Sequence, residues 1–142
     1  MYKNSNYNLR NELGSFIKNY SIKNYGEDWN YCINLSNKYN VRNNRWRKNV
    51  SCLFKNISKL DNKIDGFVLN EYDINYYNIH HHIILKSDLD EEEINKLVKI
   101  NWKNKGLSEI SKYNNEKDYC YYITKHYNKF KENEFEMVKN LI

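Results

Sequence analysis

The run Asn78-Ile79-His80-His81-His82-Ile83-Ile84-Leu85 constrains this chain more than any other stretch, because it sets three of the four histidines inside a β-branched, apolar segment. A segment of that character reads as a strand. Strand side chains alternate between faces, so His80, His82 and Ile84 point one way while Ile79, His81, Ile83 and Leu85 point the other. At strand rise the Cα atoms of His80 and His82 lie roughly 6.6 Å apart on one face, and two imidazoles so spaced can converge on a divalent cation. A lone strand histidine is most simply a half-buried, hydrogen-bonded ring. Three together differ, since grouping titratable rings in one strand has a solvation cost unless something binds them.

The segment before this strand supplies a partner. Ile64 to Tyr72 holds the apolar run Gly66-Phe67-Val68-Leu69 and ends at Glu71, and a loop with Asp73 and Asn75 leads into the histidines. Two strands so joined pair as an antiparallel hairpin, which brings Glu71 close to His80. A carboxylate added to His80 and His82 makes an oxygen-and-nitrogen ligand set suited to Mn²⁺ or Mg²⁺ at least as well as to zinc.

The other elements follow from periodicity. Residues 1–28 are polar and Asn-rich, with a weak helical pattern at Leu9, Leu13, Phe16 and Ile17, and read as an N-terminal arm or short helix. Gly26-Glu27-Asp28 punctuates the chain before a first strand within Trp29 to Asn37. Trp46, Val50, Leu53, Phe54, Ile57 and Leu60 form the core stripe of a helix over 42–60. Its other face carries Arg42, Arg45, Arg47, Lys48, Lys55 and Lys59, either a solvated face or a phosphate footprint. Asp90 with Glu93 forms a capping box and Leu89 with Ile94 a hydrophobic staple, so the acidic cluster Asp88 to Glu93 belongs to a helix start rather than to catalysis. A further strand spans Leu107 to Tyr113. Asn114 or Asn115 caps a helix holding Tyr119 to Tyr127, and Phe135, Val138 and Ile142 suggest a terminal helix over about 130–142. The order is α+β, built on one mostly antiparallel sheet in a single domain over 29–142.

Composition narrows the function classes. Cys32, Cys52 and Cys120 are odd in number and free of CxxC spacing, which implies neither a disulfide framework nor a cysteine zinc site and fits a reduced intracellular compartment. No apolar run approaches the ~18 residues of a membrane span, and the polar N-terminus lacks a signal-peptide core. The net charge of +5 is compatible with a polyanion partner. No GxxxxGK[ST] motif occurs, so no helicase motor is built in. Tyr122 and Lys125, three apart on a helix, share one face. A tyrosine, with ordinary pKa about 10, is a poor nucleophile unless a cation or metal assists it. Metal, tyrosine and lysine together point to phosphodiester transesterification rather than acyl or hydride transfer.

These residues resemble the HUH endonucleases, in particular the small replication initiator (Rep) proteins of rolling-circle plasmids and single-stranded DNA viruses. His80-His81-His82 matches that family's His-hydrophobic-His strand motif at its outer positions, with His81 in place of the apolar middle residue. Glu71 looks like the acidic residue that completes the metal site, and Tyr122-Ile123-Thr124-Lys125 like the Tyr-x-x-Lys helix motif, with Tyr121 the alternative nucleophile. Tyr31 to Asn37 looks like the first motif, and Asn101-Trp102 to Gly106 like the linker before the tyrosine helix. The resemblance covers residues 29–129.

It implies a five-stranded antiparallel sheet related to ferredoxin-like and RNA-recognition folds, with Glu71, His80 and His82 holding Mn²⁺ or Mg²⁺. Tyr122 would attack single-stranded DNA at a replication origin and form a 5′-phosphotyrosine link, with Lys125 neutralising charge. Asn34, Ser36 and Asn37 of the first motif, with Arg45 and Lys48 of the basic helix, are the candidate DNA contacts. Any helicase would act in trans, and the compartment would be the cytoplasm, or the nucleus or organelle that houses the replicon. Two other readings stand beside this one: a single-tyrosine HUH transposase, and a non-enzymatic binder that stacks bases on aromatic side chains.

Overall fold

The computed structural model describes residues 2–39, 45–72, 78–114, 119–124 and 135–142, with side chains from residue 11 onward. Its elements are α1 (Tyr2–Tyr25), β1 (Tyr31–Leu35), α2 (Arg45–Ser58), β2 (Asp65–Tyr72), β3 (Ile79–Lys86), α3 (Glu91–Trp102), β4 (Ser108–Lys112), α4 (Tyr119–Tyr122), β5 (Phe135–Met137) and a closing 3₁₀ turn, Val138–Leu141. The five strands form one sheet in the order β4-β1-β3-β2-β5, every neighbouring pair antiparallel. The first four strands with α2 and α3 thus make a split βαβ arrangement of ferredoxin-like type.

The β2–β3 hairpin sets the register for everything else. It pairs Glu71 with His80, Leu69 with His82 and Asn70 with His81. On its far side β3 pairs with β1, His82 opposite Asn34 and His81 opposite Leu35. Period-2 alternation therefore divides the histidines as the sequence predicts: His81 is fully buried, His80 is exposed and His82 lies between.

On the face carrying Tyr31, Ile33, Leu35, Val68, Ile79, His81, Ile83 and Leu85 lie α2, α3 and the 3₁₀ turn. Trp46, Val50, Leu53, Phe54 and Ile57 are buried there, the stripe read from the sequence. Leu60, expected to extend that stripe, is 64% exposed because α2 ends at Ser58 and the chain turns away. On α3 the Asp90 side chain accepts from Glu93 N–H at 2.8 Å, and Leu89 and Ile94 both pack on this core, as the cap and staple require.

The opposite face carries Phe67, Leu69 and Ile84 under α1 and α4, which contribute Ile17 and Cys120 to a second core with Trp29 and with Ile123 of the turn after α4. Here the sequence expectation falls short. The arm or short helix of residues 1–28 is a 24-residue helix that docks through a sparse stripe of Leu13, Ile17 and Tyr20. It ends where Gly26 takes φ +71° and donates its N–H to the Ile22 carbonyl, a conformation open to glycine at little cost. The terminal helix expected over 130–142 is also corrected. Phe135–Met137 adds an edge strand to β2, and Val138–Leu141 turns Val138 and Leu141 into the first core.

His81 shows what the buried face demands of a polar side chain. Its ring lies against Trp46 and Trp102, with centroids at 5.5 and 5.9 Å. Nδ1 faces Asn70 Oδ1 at 2.7 Å and Nε2 faces Asn37 Nδ2 at 3.0 Å, so the neutral Nδ1–H tautomer satisfies both. Burial first, then the neighbouring His82 and His80, lowers its pKa from 6.5 to about 3. The unfolded chain therefore binds the extra proton between those values. The resulting stability is complete above pH 6.5 and is lost as pH falls through 6.5 towards 3. In urea melts, lowering pH from 7 to 5 should cost the wild type about 2 kcal/mol more than His81→Phe, which keeps a ring between the tryptophans but cannot titrate. Equal losses would show that His81 is not held neutral.

Candidate functional site

At the end of the sheet that α1 and α4 leave open, one row of side chains crosses the strands. Register places Glu71 of β2 beside His80 of β3, and His82 beside Asn34 of β1, which pairs in turn with Glu109 of β4. His80, His82, Asn34 and Glu109, with Ser36, Ser108 and Leu107, line an open cleft of about 470 Å³. An imidazole pair and carboxylates at a sheet end, rather than over its apolar middle, keep access to water and to a ligand.

Sequence reasoning brings Glu71 to His80, and the backbone register agrees. The side-chain contact is the diagonal one: Glu71 Oε2 lies 2.6 Å from His82 Nε2. A long carboxylate reaches across to the i+2 neighbour on the same face. On its other side the His82 ring presents Nδ1 to Asn34 Oδ1 at 2.8 Å. Both ring nitrogens thus face acceptor oxygens. A neutral imidazole carries only one proton, so Nδ1–H directed at Asn34 leaves Nε2 and the Glu71 carboxylate sharing either a second proton or a cation.

The donor chemistry suits a hard divalent ion, with one carboxylate oxygen and an imidazole nitrogen already converged and a second imidazole, His80, on the same face. The convergence is of two heads. Among the described residues no three His, Cys, Asp or Glu side chains stand together as a ready ligand set.

The tyrosines divide cleanly. Tyr119 donates its hydroxyl to the same Asn34 Oδ1 at 3.0 Å, and burial raises its pKa far above the ordinary value. Its ring stacks on that of Tyr122, centroids 6.1 Å apart, and Tyr122 is 49% exposed. Tyr121 turns the other way, against α1, with its hydroxyl 2.8 Å from Ser15 Oγ and its ring over Gly14. Tyr122 is therefore an exposed tyrosine of α4 one ring removed from the Asn34–His82 pair, and Tyr121 is a packing residue. The nearby thiols are poor nucleophiles, since burial pushes Cys32 up to about 12 and Cys120 up to about 11. Lys125 lies outside the described residues.

The expected DNA contacts separate. Asn34 and Ser36 line the cleft. Asn37 does not, because it is buried on the opposite face, where its Nδ2 donates to the Ile79 carbonyl and lies against His81. Arg45 and Lys48 are exposed on α2, in the layer across the sheet from the Glu71–His82 pair. Glu109 and Leu107 are cleft residues that the sequence reading did not single out; β-strand pairing with Asn34 is the only signal that marks Glu109, and it requires the strand order.

No family model, curated protein or solved structure matches the chain. No described helix is long and apolar enough to cross a membrane.

The placement of α4 depends on a bare spot on α1. A Cβ built on Gly14 would lie 2.6 Å from Tyr121 Cδ1. Gly14→Ala should destabilise the protein by about 1–3 kcal/mol through overpacking, despite a helix-propensity gain of about 1 kcal/mol. Thermal unfolding of Gly14→Ala with and without Tyr121→Ala checks this: the truncated ring should relieve the clash, and a stabilised Gly14→Ala would refute the α1–α4 packing.

Proposed function

We propose that this chain is a metal-dependent nickase and strand transferase for single-stranded DNA, of the HUH Rep type, that initiates rolling-circle replication. The observation that carries the reading is the juxtaposition of Glu71, His82 and His80 with an exposed tyrosine one ring away from Asn34. The α+β sheet and its open cleft support it, as does the resemblance of the strand and helix motifs. Glu71, His80 and His82 would hold Mn²⁺ or Mg²⁺, which when bound supplies positive charge to a phosphodiester.

In the proposed reaction the Tyr122 hydroxyl attacks the scissile phosphorus and the P–O3′ bond breaks. The 3′ oxygen leaves and takes up a proton, while the 5′ end stays on Tyr122 as a phosphodiester. Attack by another 3′-hydroxyl reverses the step and joins strands. Because a phosphodiester is exchanged for a phosphodiester, no external energy source is needed. Lys125, three residues along the sequence, would add fixed positive charge beside the nucleophile. A replication origin is the proposed substrate, with any helicase acting in trans.

Incubation with pooled single-stranded oligonucleotides in Mn²⁺ should give an SDS-resistant, slower-migrating species that EDTA and Tyr122→Phe both abolish, with DNA binding nearly unchanged in the variant. His80→Ala and His82→Ala should lower adduct yield by at least the roughly 10- to 100-fold that loss of an outer-shell partner costs a metal site. An adduct undiminished in Tyr122→Phe would sink the assignment of the nucleophile. DNA binding that is indifferent to chelator, with no covalent species, would favour a base-stacking binder instead.

A further inference from the structure

We infer that Asn34 is a positioning residue: its side-chain carbonyl orients the His82 ring and ties that ligand to the tyrosine helix. The inference rests on the proposed metal site and extends it to a residue whose first reading, from sequence, was a DNA contact.

The argument begins with the acceptor. Asn34 Oδ1 takes two donors, His82 Nδ1–H at 2.8 Å and the Tyr119 hydroxyl at 3.0 Å. A carbonyl oxygen has two lone pairs, so this pair of donors fills it. The Tyr119 hydroxyl donates to the same oxygen and helps to hold the Asn34 side chain in place. With that oxygen 2.8 Å from Nδ1, the ring is held so that Nε2 is presented to the Glu71 side, where its partner carboxylate lies 2.6 Å away. Ligating histidines generally gain orientation and basicity from such an acceptor on the second nitrogen.

Geometry makes the connection rigid. Asn34 and His82 are directly paired across β1 and β3, so their Cα separation is fixed by the sheet ladder rather than by loops. Tyr119 opens α4 and stacks on Tyr122. One oxygen atom therefore joins the strand that bears the ligand to the helix that bears the nucleophile.

Titration of the metal-free protein with Mn²⁺, followed by calorimetry, tests this without reference to DNA cleavage. Asn34→Leu should weaken Mn²⁺ binding roughly 10- to 100-fold. Asn34→Asp, which keeps an acceptor at Nδ1, should bind at least as tightly as wild type. Tyr119→Phe, which removes only one hydrogen bond that holds the Asn34 side chain, should weaken binding a few-fold. Circular dichroism establishes that each variant is folded, and if Asn34→Leu is not, the Asn34→Asp and Tyr119→Phe arms still decide. Unchanged Mn²⁺ affinity in folded Asn34→Leu, or equal losses in the Leu and Asp variants, overturns the inference, as does a wild type that binds no Mn²⁺. A wild type that binds Mn²⁺ with this order of variants but forms no adduct with single-stranded DNA supports the role of Asn34 and rejects the nickase reading alone.

Discussion

The burial of a neutral His81 between Trp46 and Trp102 is the constraint on which the rest of this fold depends. Because a strand alternates, locking that ring into the core commits both neighbouring histidines to the other face. Asn70 and Asn37 hold the ring at its two nitrogens, which makes the commitment chemical as well as steric. An apolar residue there would fill the space equally well, yet it would leave the buried Asn70 carbonyl without the ring donor that now meets it. The core thus specifies the orientation of a site that lies entirely outside it.

Strong periodicity made the interior of this fold legible. The histidine strand, the α2 stripe and the Asp90 cap each rest on several residues that agree, and the hairpin placing Glu71 opposite His80 follows from two such segments in succession. What escaped was decided by partners distant in sequence. The docking stripe of α1 is sparse in a polar helix, so its length could not be judged locally. β5 has only three residues and pairs because β2 offers a free edge. Phe135 and Val138, three apart, mimic helical spacing.

The site was legible in residue type and less so in contact. Glu71 and the outer histidines were marked by sequence order, but the Glu71–His82 diagonal depends on side-chain reach. Asn37 was marked as a DNA contact by its place in the first motif, but it is buried, where it meets His81 and the Ile79 carbonyl. Choosing between Tyr121 and Tyr122 requires knowing where α1 lies, since Ser15 and Gly14 receive the former.

The register of the β2–β3 hairpin acts as its own proofreader. A slip of one residue would rotate every side chain of Ile79–Lys86 to the wrong face. His80, His82 and Lys86 would enter the tryptophan core, and the Lys86 ammonium would lose Glu27 and the Asp28 carbonyl that now receive it. A misaligned hairpin therefore carries a heavy desolvation penalty and cannot compete as a folded state. Molecules that complete folding have His80 and His82 on the open face beside Glu71, so quality control of that face is accomplished by the same event that forms the sheet.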